Sequence, residues 1–186
     1  MAKKIISNKT WMQVHLYVSL FFIPMALIYA ITGSLYIFNI RQNAGAEIKE
    51  VRIQDTIPKG SEREVMLRIL QENKLEIPSN TEVRFFKGSH SMGTLKNQVL
   101  LTQDKNSPSY TLSAIVRIWY GVLLLLHKAA GKYYFDILVV GFSIALVLLY
   151  LSGLFLTAFC KRDRKGSIIA IILGILVTTL AVYLSI

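Results

Sequence analysis

Three stretches of this chain contain no aspartate, glutamate, lysine or arginine: Trp11 to Phe38, Ile137 to Cys160 and Ser167 to Ile186. They run to 28, 24 and 20 residues, and about 20 residues of helix cross the roughly 30 Å hydrocarbon core of a bilayer. A chain that is 53% apolar suits one soluble domain when those residues are spread at helix or strand period, but here they are gathered into blocks. The blocks imply a membrane α-helical protein with three transmembrane helices.

Short basic flanks orient such helices, because lysine and arginine stay on the cytoplasmic side. The N-terminal tail carries Lys3, Lys4 and Lys9 with no acid, and the stretch after Cys160 carries Lys161, Arg162, Arg164 and Lys165 against Asp163. Both belong in the cytoplasm. Residues 1–39 are then a cytoplasmic tail with the first span, 40–112 an external domain, 133–160 the second span, 161–166 a cytoplasmic loop and 167–186 the third span. The first span resembles a signal peptide only in its lysines and in Ala44-Gly45-Ala46. Its apolar core is longer than a signal h-region and Arg41 interrupts the approach to that box, so an uncleaved anchor is expected.

Residues 111–127 are also apolar, but a fourth span there would contain Arg117 and would place the Lys161–Lys165 cluster outside, against the charge rule. A helix over 113–132 would align Arg117, Gly121, Leu124 and Lys128 on one stripe, so an amphipathic helix lying in the outer interface is expected.

The net charge of +10 comes apart by segment. Seven of the 21 basic residues lie in the two cytoplasmic stretches, and residues 40–112 carry eleven basic against nine acidic residues, or +2. No basic face is left for nucleic acid. One cysteine, Cys160, allows neither an internal disulfide nor covalent c-type haem attachment.

Within the external segment, Ser61-Glu62-Arg63-Glu64 has the form of a capping box and predicts a helix over 61–74 after Pro58 and Gly60. Runs near 82–86 and 98–102 read as strands joined by a Gly/Ser-rich connection containing His90, and 48–57 alternates partly at strand period. One helix on a small antiparallel sheet is expected, with His90 a solvated turn residue.

Two other histidines stand at the edges of apolar helices, where an ionisable group is a site hypothesis. His15 is followed by Pro24 and Thr32-Gly33; Leu126-His127 is followed by Gly131 and Ser152-Gly153-Leu154. Placed along the spans, His15 and His127 are separated by something close to the ~30 Å core, so one haem cannot use both within a protomer.

This order of residues, with an external α+β insert between its halves, resembles the PepSY-associated transmembrane family over about residues 10–160. The resemblance implies a PepSY-like external domain and a bacterial inner-membrane location, in a family many of whose members are tied to iron or siderophore uptake. Its larger members bind b-type haem through membrane histidines and reduce ferric siderophores; this chain has fewer spans and fewer histidines. By that likeness His15 and His127 are the cofactor-binding candidates, for haem b. A second axial ligand would come from another protomer, a partner subunit or a methionine such as Met12.

Ser-His-Asp sets, Walker loops and dinucleotide glycine motifs are all missing from the sequence. The leading expectation is a non-enzymatic accessory protein that contacts the lipid bilayer and acts through its external domain on a protein partner, or as a homo-oligomer. The alternative is a small haem-binding component of ferric or ferric-siderophore reduction.

Overall fold

A segment without water at hand satisfies its backbone internally, as helix. The computed structural model, which describes residues 8–54, 56–86, 88–104, 108–157 and 164–186, places helix on all three charge-free blocks. In chain order the elements are α1 (Asn8–Ile37), β1 (Glu47–Ile53), α2 (Glu62–Glu72), β2 (Arg84–Phe86), β3 (Ser89–Gly93), β4 (Asn97–Gln103), β5 (Tyr110–Val116), α3 (Trp119–His127), α4 (Tyr133–Thr157) and α5 (Arg164–Ser185). Three stretches, Lys9–Ile37, Tyr133–Leu154 and Arg164–Ser185, are long and apolar enough to cross a membrane.

The chain divides into two compact units. The first, Met1–Ala26 with Ile137–Ile186, holds α1 up to Ala26, α4 from Ile137 and α5 among its described residues. Phe22 meets Phe142 with ring centroids 5.6 Å apart, and Met25 and Ala145 are buried. Much of the remaining apolar surface is exposed, including Leu20, Phe21, Leu148, Ile172 and Leu176, and α5 buries no residue. Apolar exposure on this scale is the chemistry of a surface that faces lipid or another protein.

The second unit, Leu27–Asp136, contains a five-stranded antiparallel sheet in the order β1-β5-β4-β3-β2. Pairing of the first and last strands joins the chain leaving α1 to the chain entering α3. Met66, Ile69 and Leu70 of α2 recur at helical spacing and are buried against Ile53, Met92, Val99, Leu101 and Leu112. The strand residues share one face because their registers, Met92 opposite Val99 and Leu101 opposite Leu112, keep the two-residue alternation in phase.

Three expectations change. The expected capping box does not form: the Ser61 hydroxyl donates to the Pro58 carbonyl at 2.8 Å, and Glu62, in place of Glu64, accepts the Gly60 N–H at 2.9 Å. The turn at Pro58 captures the hydroxyl that would otherwise reach forward into the helix. The Gly/Ser-rich connection itself holds β3, so His90 is a strand residue facing Leu101. The helix expected over 113–132 is shorter, from Trp119 to His127, because residues 110–116 pair on both sides as β5. Cys160 and most of the basic stretch after it lie outside the described residues.

Candidate functional site

A serine or threonine inside an apolar helix bonds its own backbone carbonyl one turn back, for want of water. Thr32 does this to Ile28, and Ser152 does so to Leu149 at 3.0 Å. Each hydroxyl has a single proton, so its oxygen is left as an acceptor. A histidine occupies both acceptors.

In the second unit, His127 Nδ1 lies 2.7 Å from Thr32 Oγ1. The ring stacks on Tyr29 at 4.1 Å between centroids, and a Cβ placed on Gly33 would lie in ordinary contact with its Cε1 at 3.9 Å. Thr32 is 1% exposed. Burial, and secondarily the neighbouring Lys128 charge, holds the His127 imidazolium below its ordinary range, so the ring is neutral near pH 7.

In the first unit, His15 Nδ1 lies 2.8 Å from Ser152 Oγ, and its Cε1 lies 3.9 Å from a Cβ placed on Gly153. The two sites have the same parts: a helix hydroxyl whose proton is taken by its own turn, the glycine after it, and a histidine seated on both. With the hydroxyl oxygen as acceptor, a neutral ring in the Nδ1–H tautomer fits each site and leaves its lone pair on Nε2. That tautomer has the nitrogen a metal-bound imidazole uses, with the other nitrogen oriented by a hydrogen bond.

Thr32-Gly33 and Ser152-Gly153 are therefore histidine partners as well as small-residue pairs for helix packing. Their alternation with the histidines was visible in the sequence; which pair receives which histidine required the fold. Met12 stands one turn before His15 on the same face of α1. Among the described residues, no three His, Cys, Asp or Glu side chains converge as a metal-ion site requires.

Against those two polar anchors stands a third region, a cleft of about 750 Å³ on the sheet unit, lined by Glu62, Arg63, Asn80, Glu82, Phe85 and His90 among others. Phe85 lies directly opposite His90 in the β2–β3 register, and their rings are 4.9 Å apart. His90 Nε2 is 3.9 Å from Glu62 Oε1. Hydrogen bonds from the backbone amides of Glu62 and Gly60 hold the Glu62 carboxyl below its usual range, with the His90 charge as a lesser cause.

The chain matches no family model, no curated protein and no solved structure.

Arg117 was expected on an interfacial helix and instead closes the junction between β5 and α3. It is 5% exposed and donates from Nε to Asn43 Oδ1 at 2.8 Å, from Nη1 to the Leu95 carbonyl at 2.9 Å and from Nη2 to Gln98 Oε1 at 2.7 Å. All three acceptors are neutral, and burial lowers the guanidinium pKa from its ordinary value. Arg117 is thus a clasp holding the 40–46 loop to the β3–β4 hairpin.

Proposed function

We propose that the chain is a multi-pass protein of the bacterial inner membrane, N-terminus in the cytoplasm, whose sheet unit lies outside and acts on a protein partner as a PepSY-type accessory domain, in the setting of iron or siderophore uptake. The observation that carries this reading is the cleft beside β2. An edge strand offers unpaired backbone groups to an extended peptide, β2 is the last strand of the sheet, and its Phe85 is 67% exposed. A photo-crosslinking amino acid at Phe85 in intact cells is expected to give a discrete adduct, whereas the same probe at Arg68 on α2 is not. The absence of an adduct from Phe85 overturns the reading.

The tautomer of the two histidines favours a second reading, a small b-type haem component of ferric or ferric-siderophore reduction. Haem supplies one-electron transfer when bound. His15, held at Nδ1 by Ser152, and His127, held at Nδ1 by Thr32, would be the residues that hold the group, with any further ligand supplied by a second copy, a partner or a methionine such as Met12. Protein purified in detergent from haem-replete cells is expected to show a Soret band that shifts on dithionite reduction, diminished by His15→Ala and by His127→Ala separately. Pigment that neither substitution affects removes this reading and leaves the cleft as the functional surface.

A further inference from the structure

We propose that the second unit carries a binding site for the phosphate of an anionic phospholipid, built on Tyr36 by two cations. The proposal rests on the membrane placement put forward above. Arg41 lies over the Tyr36 ring with its guanidinium carbon 3.9 Å from the centroid, and Lys128 Nζ lies 4.5 Å from the same centroid. One aromatic ring thus gathers two positive charges whose mutual repulsion grows as they are brought together. Among the ion pairs of the described residues, none involves Arg41 or Lys128. Arg41 spends one N–H on Asn39 Oδ1 at 2.8 Å, and this neutral acceptor leaves the charge uncompensated. A phosphate diester supplies the one negative charge that this pair of cations lacks, and its oxygens accept from a guanidinium or an ammonium.

The surroundings identify the phosphate as that of a lipid. Tyr36 is on the last turn of α1, Lys128 follows directly on α3, and Tyr133 opens α4, so in the chain the two cations flank the ends of two stretches long and apolar enough to cross a membrane. On the same chain segments, at the end of α1, the start of α3 and the start of α4, Ile37, Phe38, Ile118, Trp119, Tyr133 and Tyr134 expose large apolar or aromatic surface. Trp119 alone is 67% exposed. Tryptophan and tyrosine with an apolar body and a polar edge are the residues of the headgroup level. A soluble phosphate would gain nothing from this rim, whereas a phospholipid places its glycerol and first methylenes against it. Basic residues at a membrane surface contribute roughly fivefold in affinity for anionic lipid each, an effect that salt screens.

The test uses the full chain in nanodiscs of phosphatidylcholine with or without phosphatidylglycerol, followed by native mass spectrometry of the lipid retained after release. The wild type is expected to retain phosphatidylglycerol in preference to phosphatidylcholine, with the preference falling roughly fivefold in Arg41→Gln and again in Arg41→Gln/Lys128→Gln. Arg68→Gln/Arg84→Gln removes the same two charges from exposed positions on α2 and β2, and is expected to leave the preference intact. The charge-preserving exchange Arg41→Lys/Lys128→Arg restores most of it. Equal retention of the two lipids, or an equal loss in the Arg68/Arg84 control, overturns the site. Failure of the wild type to float with pure phosphatidylcholine vesicles overturns the membrane placement instead, so the two failures are distinguishable.

Discussion

His127 is the residue whose chemistry is most exposed to a simple measurement. Its imidazolium is disfavoured in the folded chain, so on acidification the unfolded chain takes up a proton at the ordinary pKa of 6.5 before the folded chain does. Stability from this source is fully present above that value and is lost as pH falls from it toward the lower folded value. Thermal unfolding in detergent is expected to weaken between neutral and mildly acidic pH, and His127→Gln is expected to flatten that dependence. Thr32→Val keeps the shape of the side chain but leaves the Nδ1–H without an acceptor, at a cost of about 1–3 kcal/mol; Thr32→Ser, which restores the oxygen, is expected to recover most of it. Ser61→Ala is expected to cost less than the roughly 1 kcal/mol of a lost helix cap, since that hydroxyl bonds a turn carbonyl. Denaturation of the sheet unit in both variants checks the contrast.

At the scale of elements, the junction of β5 with α3 depends on two side-chain facts. Arg117 reaches three acceptors in three directions through a planar fork, and a lysine ammonium at that position cannot reproduce it. Arg117→Lys is expected to destabilise the sheet unit by about 2 kcal/mol or more, since bonds from a charged donor are worth roughly 1.5–3 kcal/mol each; urea unfolding in detergent measures it. Four residues later, a Cβ on Gly121 would run into the Gln42 carbonyl oxygen. Gly121→Ala is therefore expected to displace the loop after α1 and to expose Tyr120, whose hydroxyl donates to the Ile40 carbonyl at 2.7 Å. Increased proteolysis at residues 40–46 is the readout. This junction was poorly legible in the sequence. Residues 111–127 read as one apolar run, since a strand buried on one face and a short buried helix both present closely spaced aliphatics, and periodicity does not separate them when each is under ten residues. Likewise β3 was hidden by its glycine, serine and histidine content, because only Met92 reports its buried face.

For the whole molecule the testable quantity is topology. If the basic segments lie in the cytoplasm, a membrane-impermeant thiol reagent applied to intact cells is expected to label Lys59→Cys and Arg68→Cys and to spare Cys160; labelling of Cys160 from outside reverses the orientation. The three long helices were determined by the sequence alone, because the absence of charge over 20 or more residues is a local property that no tertiary contact alters. The helix at 62–72 was expected from a capping box at Ser61–Glu64 that does not form, and what seats it on the sheet is the face made by Met66, Ile69 and Leu70. Which histidine meets which hydroxyl was decided only by the tertiary structure. Thr32 and His127 are 95 residues apart and His15 and Ser152 are 137 apart, so no spacing rule links them. Their hydroxyl–imidazole bonds exist because each hydroxyl spends its proton on its own helix and the fold brings a ring nitrogen to the oxygen that remains. The same holds for Arg117 and for the two cations on Tyr36: a charge can be counted in a sequence, but what surrounds it depends on chain segments that only folding brings together.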